Sequence, residues 1–150
     1  MRALIQRTTK ASVLIDNSEK RSIGNGLVIL LGIEDADTNE DIKWLSAKIS
    51  KLRIFEDKDG IMNKSIIDIN GEALIISQFT LHAKTKKGNR PSYIKAAAPD
   101  KSKPMYIDFM KQFSKDISKE VVAGKFGADM NVELINNGPV TIWIDSKNKE

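Results

Sequence analysis

Residues Gly26–Ile33 read GLVILLGI, an almost unbroken apolar run closed by glycine at Gly26 and Gly32. A strand with one wet face would alternate apolar and polar residues; this run does not, so it predicts a strand buried on both faces. The rest of the chain supplies what could bury it. Upstream, residues 2–7 and 11–16 are β-rich. Downstream, Thr38 with Asp41 three residues later forms a capping-box pattern, and Ile42, Leu45, Ile49 and Leu52 repeat at helical spacing. Strand signals return at Glu72–Phe79 after the turn pair Asn70-Gly71. A second helix is expected to start near Ser102 and Pro104, with an apolar face of Tyr106, Phe109, Met110, Phe113 and Ile117. The end reads as strand again over 121–126, Asn131–Ile135 and Val140–Ile144, the last two separated by Asn136-Asn137-Gly138-Pro139. The expectation is a mixed α/β fold: one β-rich domain of layered mixed sheets over 1–145, with two covering helices. The polar residues 146–150 (SKNKE) read as a frayed tail.

Composition closes off several chemistries. With 150 residues, 41% of them hydrophobic, the chain suits a single core. There is no cysteine, so disulfides, zinc–thiolate sites and thiol nucleophiles are excluded, and a reducing, cytoplasmic setting is compatible. The segment MRALIQRTTKASV is broken by Gln6 and Arg7 and does not read as a signal peptide. No apolar run approaches the roughly 20 residues that span a bilayer, so no membrane partner is expected. His82 is the only histidine, which rules out a two-histidine metal site within one chain. No carboxylate cluster stands at suggestive spacing, and neither a phosphate loop nor a dinucleotide fingerprint is present. No metal and no cofactor are expected. The net charge of +4 fits a polyanionic partner without demanding one. Lys84, Lys86, Lys87 and Arg90 concentrate that charge in the stretch AKTKKGNRPS, which taken alone reads as a solvated loop.

Two segments carry unusual residue choices. Ser77-Gln78-Phe79-Thr80-Leu81 places polar side chains where a buried strand gives way to a loop, a frequent position for a site on a rigid element. Read from spacing alone, it is also an ordinary solvated strand end. Asn137-Gly138-Pro139-Val140-Thr141, preceded by Asn136, reads as a plain hairpin connection. Nothing in the bare residues makes the bond before Pro139 cis, a state of only about 5–6% of X–Pro bonds.

Together these two segments resemble the paired signatures of the D-aminoacyl-tRNA deacylase family. So do MRALIQRTTKASV at the start, Lys51–Phe55 (KLRIF), Gly88–Tyr93 (GNRPSY) and Lys125–Met130 (KFGADM). Each fragment is weak alone, but their joint order from residue 1 to about 145 is specific. His82 falls at a position expected to vary, which argues against an essential base there.

The resemblance implies the fold of that family and a homodimer with active sites at the subunit interface. It implies hydrolysis of the ester between an amino acid and the 3′-terminal adenosine of tRNA, a proofreading activity that removes D-amino acids and, by extension, glycine. Gly138 and Pro139 would form a Gly-cisPro motif whose carbonyls enter the partner's pocket and exclude L-amino acids. Ser77, Gln78, Phe79 and Thr80 would hold the reacting ester. Thr80 is the obvious hydroxyl, but no convincing base accompanies it; assistance by the substrate's own 2′-OH, with backbone amides near Gln78–Thr80 holding the oxyanion, is the favoured route. Phe126 and Met130 would line the pocket or simply pack the core. Lys84, Lys86, Lys87 and Arg90 would contact tRNA, with Arg90 alternatively bracing the site. A non-catalytic nucleic-acid-binding module and an esterase for small acyl esters are the competing readings. Against the module stands the small share of aromatic residues, expected mostly on core faces.

Overall fold

The structure, a computed structural model, describes residues 1–150. In chain order it contains β1 (Arg2–Ile15), β2 (Glu19–Ile23), β3 (Gly26–Gly32), α1 (Asn39–Ser50), β4 (Phe55–Glu56), β5 (Met62–Lys64) and β6 (Glu72–Ser77). A 3-10 turn (Phe79–His82), α2 (Pro99–Asp116), β7 (Val122–Ala123) and β8 (Met130–Asp145) follow. The fold is mixed α/β, as expected. The main sheet runs β2-β1-β3-β6-β7, with β8 paired to β1; β4 and β5 form a separate hairpin. β3–β6 and β6–β7 are parallel, whereas β1 pairs antiparallel with β2, β3 and β8.

The apolar run of β3 is buried on both faces. Leu27, Ile29 and Leu31 point into a core completed by Ile42, Leu45 and Ile49 of α1 and by Tyr106, Phe109 and Phe113 of α2. Val28 points the other way, into a smaller cluster with Val13, Ile15, Leu74 and Ile76. The period of two along β3 thus serves two apolar layers, and the helices cover only one of them.

The predicted segments 2–7 and 11–16 are one continuous strand. Near Thr8 it changes neighbour, from β3 to β2, with a register shift against β8. Likewise, Asn131–Ile135 and Val140–Ile144 are not the arms of a hairpin. Both lie in β8 and both pair with β1. The interval Gln6–Thr8 faces the longer interval Asn136–Thr141, so the excess residues around Gly138 bulge out of the ladder. Asn136 closes that bulge: its Oδ1 accepts the Val140 amide at 2.9 Å, and its Nδ2 donates to Thr141 Oγ1 at 2.9 Å. The turn residues are there, but they bend a strand outward instead of reversing it. The strand expected over 121–126 shrinks to Val122–Ala123.

α2 begins at Pro99, its first helical residue, three positions before Ser102; Pro104 lies inside the helix. Either proline fits an opening turn, and Pro99 takes the place because Ala98 has extended backbone. α1 starts as expected, with the Asp41 carboxylate accepting the Thr38 amide at 2.8 Å.

The polar end is not loose throughout. Ser146 is buried, accepts a hydrogen bond from the Met1 ammonium at 2.8 Å and donates to Asp41 Oδ1 at 2.7 Å. Lys147 Nζ reaches Asp41 Oδ2 at 2.8 Å. The fraying expected from residue 146 therefore fails at these two residues, because buried polar partners hold them. Burial alone would raise the Asp41 pKa, but hydrogen bonds from Lys147, Ser146 and Thr38 outweigh it and hold the carboxyl well below its ordinary 3.8. A depressed carboxylate pKa stabilises the fold above the unfolded value, and the contribution is lost as pH falls through the folded one. Asp41→Asn should therefore cost about 2 kcal/mol at neutral pH. In urea titrations, the gap to the parent protein should narrow once pH drops below 3.8.

Candidate active site

β6 ends at Ser77, hydrogen-bonded along β3 with Leu31 opposite Ser77. The Gln78 amide still donates to the Leu31 carbonyl at 2.7 Å, and the chain then tightens into the 3-10 turn. Gly32 permits this close docking. A Cβ at Gly32 would lie 3.0 Å from the Gln78 carbonyl oxygen, 3.0 Å from Leu81 Cβ and 3.1 Å from His82 Cδ2. The far end of the turn is held by Arg2, whose Nη1 donates to the Leu81 carbonyl at 3.0 Å while its Nε pairs with Asp145 at 2.8 Å.

Above this strand end opens a mostly apolar cavity of about 660 Å³. Ser77, Gln78 and Phe79 line one side, and Phe126 and Met130 line another, so five of the residues singled out in the sequence share one pocket. Its rim includes Tyr93, whose ring meets Phe79 edge-on with centroids 4.9 Å apart. Phe79 and Tyr93 are both exposed, as is Trp143 on β8, so the aromatics fall less completely on core faces than composition suggested. Phe126 also contacts Tyr106, at 5.9 Å between centroids, so its ring lines the cavity and packs against the core at once. The same is true of Met130, which packs on the smaller cluster.

Thr80 joins the site through Gln78, whose side-chain amide donates to the Thr80 hydroxyl. No imidazole or carboxylate is hydrogen-bonded to that hydroxyl. His82, two residues on, is fully buried and its ring nitrogens have no hydrogen-bond partner. Among the backbone amides, that of Gln78 is committed to Leu31. Those of Phe79 and Thr80 begin the 3-10 turn, where no preceding carbonyl of the turn can accept them, so they are the donors a developing oxyanion could use. No three His, Asp or Glu side chains are grouped so that they could hold a metal ion.

Gly138 and Pro139 are absent from this cavity. They sit exposed at the bulge of β8, joined by a cis peptide bond, with Gly138 at φ +126°. The bulge is braced from below by Arg7, a residue the sequence reading passed over. Arg7 is 5% exposed; its Nε donates to the Asn137 carbonyl at 3.0 Å and its Nη1 to the Ile54 carbonyl at 2.6 Å. Its signal was available: Ala3, Ile5 and Arg7 share one face of an alternating strand, so a cation lands where apolar side chains are buried. Lys84, Lys86, Lys87 and Arg90 are likewise outside the cavity, exposed on a loop whose base is tied by paired hydrogen bonds between Lys84 and Ser92 at 2.8 and 3.0 Å.

Against known proteins, residues 4–145 match the family model described as D-Tyr-tRNA(Tyr) deacylase. The chain belongs to this family. A D-aminoacyl-tRNA deacylase of Bacteroides fragilis (strain YCH46) is 61% identical, and one of Bacteroides thetaiotaomicron is 60% identical, each over the whole of both chains. A solved structure titled c-Myc DNA Unwinding Element Binding Protein superposes with a TM-score of 0.89 at 39% identity, covering 97% of this chain and 98% of that one. Another, titled as a probable eukaryotic D-amino acid tRNA deacylase, gives 0.83 at 18% identity over 95% and 97%, a likeness of fold. The deacylase is therefore a hydrolase of aminoacyl-tRNA esters, and the cavity at the β6 strand end is the candidate place for its reacting ester. The height of the 3-10 turn over β3 should matter to that reaction. Gly32→Ala is expected to lower kcat/KM on D-aminoacyl-tRNA about tenfold or more, since sub-ångström misplacement of reacting groups is costly. Circular dichroism should show the fold retained.

Proposed function

We propose that this deacylase works as a homodimer in the cytoplasm, clearing D-amino acids and glycine from tRNA while sparing L-aminoacyl-tRNA. One observation carries the reading: Gly138 and Pro139 are braced by a buried arginine yet project into solvent, away from their own chain's pocket. A rigid projection with no target in its own chain fits a role in a partner's pocket. The outward apolar residues Ile135 and Trp143 on the same strand, 52% and 47% exposed, fit a partner covering that face.

Enantiomers differ only in where the side chain leaves Cα. A wall of side chains yields by changing rotamer; main chain tied to Arg7 on one side and to the Asn136 clamp on the other has far less freedom. Each tenfold of discrimination requires about 1.4 kcal/mol, so a 10⁴-fold filter needs roughly 5–6 kcal/mol. A clash against fixed backbone supplies that; a single pliable contact does not. Glycine, with no side chain to clash, passes the same wall.

In the pocket, a water oxygen attacks the ester carbonyl carbon, the bond to the ribose 3′-oxygen breaks, and a proton returns to that oxygen. The 2′-OH of the terminal adenosine assists the proton movement, the Phe79 and Thr80 amides stabilise the oxyanion, and the Gln78–Thr80 hydrogen bond fixes the turn. Phe79, beside Tyr93, Phe126 and Met130, shapes the space for the adenine or aminoacyl group. The exposed Lys84, Lys86, Lys87 and Arg90 contact tRNA phosphates, which makes binding salt-sensitive. A non-catalytic nucleic-acid module is disfavoured by the deacylase relatives near 60% identity.

Release of D-amino acid, L-amino acid and glycine from the corresponding charged tRNAs tests the reading. D-aminoacyl- and glycyl-tRNA should be cleaved and L-aminoacyl-tRNA spared; equal cleavage of both enantiomers, or an inability to release glycine, would sink it. Thr80→Val should lower the rate only modestly, about tenfold or less, whereas tRNA ending in 2′-deoxyadenosine should react on the order of a hundredfold more slowly. The reverse pattern would transfer the chemistry to the threonine hydroxyl.

A further inference from the structure

His82 is a titratable side chain behind the strand-end turn that the proposed reaction does not use. It ends the 3-10 turn that begins with Phe79 and Thr80, and it is 0% exposed. Neither ring nitrogen finds a hydrogen-bond partner; the Gly32 backbone is close, but its geometry falls short of a bond. Burying an unpartnered polar ring is unfavourable, and such a group in a folded protein calls for an explanation. The ring packs where Gly32 leaves room, with Cδ2 only 3.1 Å from where a Cβ on Gly32 would stand. It is thus wedged between β3 and the turn that presents the oxyanion donors.

We propose that His82 is a positioning residue whose uncharged imidazole sets the seat of Phe79 and Thr80, and that its protonation unseats them. The charges around the ring oppose a proton more than they welcome one. Arg2 approaches from β1, the Met1 ammonium from the residue before it and Glu34 from the segment after β3, and Arg2 and Met1 are themselves paired with Asp145 and Asp37. Burial first, with the cations Arg2 and Met1 adding to it, lowers the pKa from 6.5 despite Glu34 and the Gly32 backbone. A turn that opens frees the ring to titrate at that ordinary value. Below pH 6.5 the opened form therefore gains up to about tenfold per pH unit, until the seated ring titrates as well. Above pH 6.5 the seat is intact.

The proposal rests on the family's reaction and on the β6 strand-end pocket, not on the dimer or the chiral filter. Its test uses the fact that the full chain holds a single histidine. The imidazole Cε1 proton resonance reports its charge without assignment, while kcat and KM for D-aminoacyl-tRNA hydrolysis are followed between about pH 5 and pH 8. The comparison is with His82→Leu and His82→Gln, two uncharged replacements of different polarity, so that one poorly folded variant does not decide the matter. Titration of the substrate's amine is common to all and cancels in the ratio to the parent enzyme. The expected result is a parent-to-variant activity ratio that is level near neutral pH and falls several-fold in acid, along the imidazole titration, with far-UV circular dichroism unchanged. Parallel profiles, a histidine titrating at its solvent value, or an acid loss that coincides with global unfolding would each overturn it.

Discussion

The β1–β8 ladder does not match residue for residue, and that mismatch organises the rest of the molecule. Between Gln6 and Thr8 the partner strand carries surplus residues, and backbone polar groups in a sheet must either pair or face water. The surplus goes outward, at Asn137 to Val140. Arg7 lies opposite the gap, on the strand face that otherwise buries Ala3 and Ile5, so its guanidinium must find acceptors among backbone carbonyls. Those it finds, on Ile54 and Asn137, tie the bulge to the segment entering β4. One sheet irregularity and one buried cation together fix the most exposed element of the proposed filter. Gly138 tolerates the arrangement because its φ of +126° suits no other residue, and a Cβ there would press on Val140 and on the Arg7 guanidinium at 2.8 and 2.9 Å.

The pocket is built at the opposite limit, where nothing is surplus. Two parallel strands stay in register to the Leu31–Ser77 pair, the Gln78 amide remains on the Leu31 carbonyl, and the chain turns only after that. Donors placed at the end of a fully hydrogen-bonded central strand inherit its rigidity, which is what the proposed oxyanion site requires. The pH sensitivity assigned to His82 follows from the same tightness: a turn packed this closely on Gly32 leaves no water to solvate a charge.

Much of this was legible in the residues, and the failures have physical causes. The β3 run, the capping pattern of α1 and the apolar face of α2 were read correctly because they are local and periodic. Asn136–Pro139 was misread as a hairpin connection: turn residues specify a departure from strand geometry, and only long-range pairing with β1 decides whether the chain reverses or bulges. Ser146 and Lys147 read as a loose end because their partners, Met1 and Asp41, lie more than a hundred residues away. The strand-end motif at Ser77–Thr80 and the late Gly-Pro stand out by residue choice, but spacing alone leaves both ordinary, and only resemblance to a family gives them a role. Arg7, visible as a cation on an apolar face, was the legible signal that went unread.

The central claim is that the pocket of one subunit is completed by the Gly138-Pro139 projection of the other, and a mixed dimer tests it most directly. One chain carries Gly32→Ala, displacing the strand-end turn and slowing its own pocket; the other carries Pro139→Ala with Gly138→Ala, spoiling its projection. Each homodimer should fail in its own way, the first slow on every substrate and the second cleaving both enantiomers. The purified heterodimer should cleave D-aminoacyl-tRNA and spare the L form, because its intact pocket faces an intact projection. L-aminoacyl-tRNA hydrolysis by the heterodimer at the rate per intact pocket of the second homodimer would contradict the account.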